Sequence, residues 1–154
     1  MPPVQETYAL SQPLGFVGQK VNGEEYNAIT RVAEDAAGLA FGVPAVRGAN
    51  DQGCALLTAA NAAKFLGVSV RDVSVRPSAG DKYPQGGNVT ILTKGAIFVR
   101  VQGAVTPDQA ALWDTAAGRF TSAAASGTVI ALPEGWEFDS SAASGGIAVL
   151  VNRA

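Results

Sequence analysis

Histidine is absent from this 154-residue chain, and cysteine occurs once, at Cys54. Without an imidazole there is no Ser-His-Asp or Cys-His arrangement to move a proton. Zinc is nearly excluded as well, since carboxylates would be its main ligands. A single cysteine cannot staple a domain, and Cys54 reads as a small buried apolar residue. Charge is also scarce. Only 16% of residues are charged, 11 basic and 13 acidic, for a net charge of −2, against about 25% in an ordinary globular chain. The charges are scattered singly, so no basic stripe is available to neutralise phosphates, which argues against nucleic acid as a partner. No apolar run approaches the ~20 residues of a membrane span, so no membrane contact is expected. The segment MPPVQETYALSQPLGFVGQK has neither a basic n-region nor a continuous apolar h-region. It is therefore not expected to be a signal peptide, and synthesis in a reducing cytoplasm follows.

Cofactor and acid–base signals are missing too. Neither G-x-G-x-x-G nor G-x-x-x-x-G-K-[ST] occurs, so no phosphate-cradling loop is indicated. Asn50-Asp51 is too sparse a run for a calcium loop. The acidic pairs Glu24-Glu25 and Glu34-Asp35 are adjacent residues, which on a strand point to opposite faces. They read as solvated loop or turn residues rather than acid–base couples. No metal, no cofactor and no enzymatic activity are expected.

What the chain does contain is β-strand. Runs such as RVAEDAAGLAFGVPAVRG (31–48) and FLGVSVRDVSV (65–75) are short apolar stretches broken by glycine. Valines alternate with polar groups in Val68-Ser69-Val70-Arg71 and again in Val73-Ser74-Val75-Arg76. Two residues separate Val70 from Val73, so Arg71-Asp72 should mark a bulge or a crossing between sheets. Strands are expected over 29–33, 39–46, 54–57, 68–75, 88–93, 96–102, 111–114, 118–121, 129–132, 136–139 and 147–152. Gly- and Asp-rich turns separate them at the 8–12-residue spacing of a sandwich or barrel. Helix signals are few: two turns over 57–65 with Thr58 as N-cap, and a single turn at Thr106-Pro107-Asp108.

Residues 1–20 differ from the rest. Pro2, Pro3 and Pro13 interrupt both ladder and helix, while Tyr8, Leu10, Leu14 and Phe16 are too apolar for a solvated tail. This segment is an extended N-terminal arm with hydrophobic anchors, or an edge strand of the same domain; residues 21–154 form the β domain. The arm anchors are the candidate partner-binding residues. Trp113, Phe120, Trp136 and Phe138 lie at strand-like positions, either filling the core or forming a sugar-stacking platform. A surface rich in Ala, Ser, Thr and Gly with little charge suits a protein packed against others, and a homotrimer is favoured over a dimer.

The arm is followed in order by RVAEDAAGLAFGVPAVRG, FLGVSVRDVSV, DKYPQGGNVTIL, KGAIFVRVQGAV and GWEFDSSAASGGIAVLVN. This series resembles the structural cement proteins of tailed bacteriophages, which decorate and clamp the outside of the capsid. The resemblance runs over nearly the whole chain and rests on order and spacing rather than on one specific motif. It implies an all-β, single-domain sandwich or jelly-roll-like barrel with little helix, no enzymatic activity, and the major capsid protein as partner. The place of action would be the outer capsid surface of the virion. A carbohydrate-binding β-sandwich for host recognition is the alternative that the composition also satisfies.

Overall fold

The computed structural model describes residues 14–75 and 80–154. Among the described residues twelve strands carry the fold: β1 (Asn27–Ala33), β2 (Leu39–Ala40), β3 (Pro44–Arg47), β4 (Gly53–Leu56), β5 (Phe65–Ser69), β6 (Lys82–Tyr83), β7 (Asn88–Arg100), β8 (Leu112–Asp114), β9 (Arg119–Thr121), β10 (Val129–Ala131), β11 (Trp136–Phe138) and β12 (Ile147–Asn152). The helical element among the described residues is one 3₁₀ turn, Ala62–Lys64. It is shorter than the two turns expected over 57–65. Thr58 is not its cap: Asn61 Oδ1 accepts the Thr58 N–H instead, at 2.6 Å.

Five strands close into a ring in the order β1-β4-β3-β5-β7, shut by pairing of β7 with β1. The β1–β4 pairing is parallel, while β1–β7, β3–β4, β3–β5 and β5–β7 are antiparallel. Closure leaves these strands no open edge, the standard remedy for an exposed ladder. Strand β7 is 13 residues long and outlasts the ring. Its far half pairs with β12, which pairs in turn with β11. A β10-β8-β9 sheet and a β2-β6 pair complete the architecture.

The expected strands over 88–93 and 96–102 are one continuous strand. Asn27 pairs with Lys94 and Ala28 with Leu92, so Thr93 is an extra residue in the ladder. A bulge of this kind bends a strand without ending it, and Gly95 takes the positive φ of 121° that follows.

Two cores result. Ala33, Ala45, Cys54, Val89 and Ile91 cluster with Leu39, Phe41 and Tyr83 of the β2–β6 region. This cluster lies inside the ring, since Ile29 of β1 packs on it while the intervening Ala28 and Thr30 are exposed. On the outer faces of β3, β5 and β7, Val46, Val68 and Leu92 join Trp113, Phe120, Trp136, Phe138 and Leu150 in a second core. Neighbours Ala45 and Val46 thus serve different cores, as strand alternation requires. Cys54 is fully buried, and burial pushes its thiol up to about 11.

Strand β5 stops at Ser69, short of the expected run to Val75. The strand thus ends before Arg71-Asp72, and those residues mark neither a bulge nor a crossing between sheets. The Asp72 carboxylate accepts from the Ser74 N–H at 2.8 Å and from its hydroxyl at 2.6 Å, turning the chain away.

Candidate binding surface at the root of the arm

Of the anchors expected on the arm, Tyr8 and Leu10 lie outside the described residues. Leu14 and Phe16 are within them and are 62% and 68% exposed. Immediately afterwards the chain joins the sheet. Gly18 N donates to Phe98 O at 2.7 Å, Phe98 N to Gln19 O at 2.9 Å, and Val21 N to Ala96 O at 3.1 Å. Residues 18–21 thus add to the far half of β7, and Leu14 and Phe16 project where this pairing begins.

The junction is held by two glycines in close approach. Gly18 has φ 83° and Gly42 φ 67°, conformations that L side chains rarely adopt. A Cβ on Gly18 would sit 2.8 Å from Phe41 Cβ and 2.9 Å from Gly42 N; one on Gly42 would sit 2.8 Å from Gly18 N. The same φ at Gly42 splits the single strand expected over 39–46 into β2 and β3.

Arg71 is the side chain that organises the surface. Its backbone N–H donates to Gly18 O at 2.7 Å. Its guanidinium lies 5.2 Å from the Phe16 ring centroid and 5.3 Å from that of Phe41, within cation–π range of both. It also pairs with Asp81 at 2.9 Å. Phe41 meets Tyr83 edge-on at 5.0 Å, and the Tyr83 hydroxyl donates to Val70 O. Val73 stands 93% exposed beside this stack. Phe16, Gln19, Arg71 and Val73 line a cleft of about 430 Å³, and a second of about 450 Å³ runs on past Phe41 to Asp81. Leu14, Phe16 and Val73 are three of the five large apolar side chains exposed among the described residues. Phe16 and Val73 line one cleft, and Leu14 lies two residues before Phe16, which makes this the candidate contact surface.

Sequence reasoning missed Arg71 and Val73, which it used only as markers of a strand break. The available signal was Val73 itself, an apolar residue between Asp72 and Ser74 in a turn sequence.

The sugar-platform alternative is corrected. Trp113 and Trp136 are 2% and 4% exposed, and Phe120 and Phe138 are fully buried. Trp113 and Phe120 pack edge-on at 5.0 Å, and Phe65 does the same to Trp136 at 5.9 Å. These rings build the second core, and none offers a face on which a sugar would stack. The acidic pairs lie outside the strands, as expected of loop and turn residues, and are held there by hydrogen bonds and ion pairs. Glu34 accepts from the 49–50 turn and Asp35 from the Leu56 N–H, while Glu24 pairs with Arg153 at 3.2 Å.

The fold defines an all-β, barrel-cored protein, with Leu14, Phe16 and Val73 exposed near the point where its N-terminal segment joins the sheet. The chain belongs to the phage structural cement protein family: its residues 4–152 match the family described as structural cement protein (E217 gp24/Pam3 gp6). Among solved structures, it is similar to a chain of "The capsid of Myoviridae Phage XM1", with a TM-score of 0.73 at 16% identity. That match covers 99% of this chain and 98% of the other, and it shows a shared fold over the full length. No curated protein sequence matches the chain.

Proposed function

We propose that this protein binds the outer surface of a phage capsid and stabilises the shell by bridging neighbouring copies of the major capsid protein. The observation that carries the reading is the cement-family match over residues 4–152. The similar chain from a Myoviridae phage capsid supports it, and so does the apolar surface of Leu14, Phe16 and Val73. The arm residues Tyr8 and Leu10 extend this contact together with Leu14 and Phe16. The action is thermodynamic and non-enzymatic. A protein that binds the assembled lattice but not free subunits shifts the equilibrium toward the lattice. Several linked contacts per molecule raise the effective concentration for each further contact. A homotrimer spans more capsid subunits than a dimer for the same contact strength. Synthesis in the host cytoplasm precedes attachment, and neither nucleic acid nor membrane takes part.

Co-sedimentation with expanded, undecorated capsids is the test. Saturable binding that raises the temperature at which the shells open is expected. Failure to sediment with capsids of its own phage would overturn the proposal.

A further inference from the structure

We infer that Asn22 is a self-modifying site: its side-chain amide is lost spontaneously through a ring closed with the Gly23 nitrogen, leaving a carboxylate where the N-terminal segment meets the barrel. Asn22 is the one asparagine of this chain that precedes a glycine. Asn27, Asn50, Asn61, Asn88 and Asn152 precede Ala, Asp, Ala, Val and Arg. The neighbour matters because its backbone nitrogen must swing onto the asparagine Cγ. A side chain there obstructs the approach, whereas glycine leaves the nitrogen bare and the backbone free to turn. Both Asn22 and Gly23 are exposed, and no heavy atom lies within 4 Å of the place a Gly23 side chain would take.

The local hydrogen bonds favour the same reaction. The Glu24 N–H donates to Asn22 Oδ1 at 3.1 Å, an Asx turn that folds the carboxamide back over the Gly23 peptide. Negative charge develops on that oxygen as the Gly23 nitrogen adds to Cγ, and a donor already aimed at it stabilises the adduct. At the other end of the amide, Asn22 Nδ2 donates to Glu24 Oε2 at 3.3 Å. The Gly23 nitrogen forms its bond to Cγ and gives up its proton, the Cγ–Nδ2 bond breaks, and Nδ2 departs as ammonia with a proton in exchange. Water then opens the five-membered ring. Attack at Cγ restores the main chain and leaves aspartate; attack at the backbone carbonyl leaves isoaspartate, with the main chain rerouted through Cβ. Nothing is oxidised or reduced.

Either product adds one negative charge to a chain of net charge −2. It also sets a carboxylate against Glu24 in place of a donor, an unfavourable pairing of like charges, and Glu24 is the residue that Arg153 holds at 3.2 Å. The isoaspartyl form further lengthens the main chain just after Val21, whose N–H is bonded to Ala96 O.

The experiment holds the purified full chain at mildly alkaline pH, samples it over weeks and digests it with trypsin. Cleavage after Lys20 and Arg31 gives a peptide that contains both Asn22 and Asn27, so Asn27 is an internal standard. A gain of one mass unit is expected at Asn22 at least tenfold faster than at Asn27, as two separable products of equal mass. Gly23→Ala, which the open space at Gly23 accommodates, should slow it at least tenfold. An Asn22 that lasts as long as Asn27 would overturn the inference, as would aspartate without its isomer, the mark of direct hydrolysis. The folded chain should also react at least as fast as the chain unfolded in urea. A slower folded chain would mean that the bonds to Glu24 hold the amide away from Gly23, and the site would then be a protected one.

Discussion

Asn50 gives Glu34 two hydrogen bonds, one from its backbone N–H and one from its side-chain amide, both to Oε1 at 2.8 Å. The Ala49 N–H adds a third, to Oε2, at 2.7 Å. One carboxylate thus fastens the 48–53 turn to the end of β1. These donors favour the ionised form, so the Glu34 carboxyl lies below its ordinary range in the folded chain, with the Asn50 backbone N–H the largest cause. A carboxylate depressed on folding contributes stability that is present above its unfolded pKa and lost as pH falls through the folded value. The unfolding midpoint of wild type should therefore approach that of Glu34→Gln as the pH is lowered from about 4.3. Urea titrations of both proteins between pH 7 and pH 3 check this. A gap that stays constant over that range would show that the charge of Glu34 is not what holds the turn.

Gly53 makes room for that carboxylate. A Cβ placed on it would lie 1.8 Å from Glu34 Oε1, so Gly53→Ala should expel the Glu34 side chain from its donors. The side chain is flexible and can move, and the loss is then of its hydrogen bonds rather than of packing. The expected signature is coupling in a double-mutant cycle. Gly53→Ala lowers stability in wild type and does so much less in Glu34→Ala. Equal costs in the two backgrounds would place the damage in the β1–β4 ladder instead.

The buried rings make a third prediction. Phe120→Ala empties the centre of the second core and should cost about 3–5 kcal/mol, the usual range for a large buried aromatic. Tryptophan emission of the native protein should be blue-shifted, and unmoved by a panel of mono- and oligosaccharides. A saturable change on adding any one sugar would reopen the stacking role that burial of Trp113 and Trp136 has closed.

Legibility from the sequence followed how local the deciding physics is. Strand β12 coincides with the expected 147–152, because Ile147 to Asn152 is an unbroken apolar-β run ended by polar residues. The burial of Trp113 and Phe120 was open to inference as well, since a domain built from small residues needs large rings to fill its core. Other features depend on distant partners. The Lys94-Gly95 step looks like a turn until β1 pairs up to Lys94, with Thr93 as a bulge, and β12 takes over from Gly95. Tyr83 lies in a loop-like sequence yet is buried against Phe41 and bonded to Val70, so β6 left no periodic signal. The parallel pairing of β1 with β4 within the ring has no local signature at all. At the surface, Leu14 and Phe16 could be singled out as unexpectedly apolar, but only the fold brings Arg71 and Val73 beside them.

Attachment through this surface should respond weakly to salt. Its exposed side chains are mainly apolar, and the Arg71–Asp81 pair, with Asp81 76% exposed, is of the kind worth at most about 1 kcal/mol. Raising salt from about 0.1 to 1 M shortens the screening length from about 10 to 3 Å. The capsid affinity is expected to change by less than a factor of about five, the equivalent of 1 kcal/mol. A collapse in binding over that range would move the contact to the scattered Arg and Asp residues elsewhere.

The arm and its root should separate cleanly in stability measurements. Deleting residues 1–13 leaves Gly18, Gln19 and Val21 paired with β7, so the thermal midpoint should move by less than about 3 °C, near the shift that 1 kcal/mol gives in a chain of this size. Gly18→Ala strikes the root itself. Its Cβ would press on Phe41 and Gly42 at a φ of 83°, and a non-glycine residue held in such a region costs about 1–3 kcal/mol before any clash is counted. The two variants then differ in kind. The truncation keeps the fold and weakens contacts between molecules, whereas Gly18→Ala loosens the 18–21 pairing and exposes the amide of Phe98. Hydrogen exchange at Phe98 distinguishes them, with protection kept in the truncation and lost in Gly18→Ala. Loss of that protection in the truncation would mean that residues 1–13 help to hold the ladder, and that the arm serves its own barrel as well as a partner.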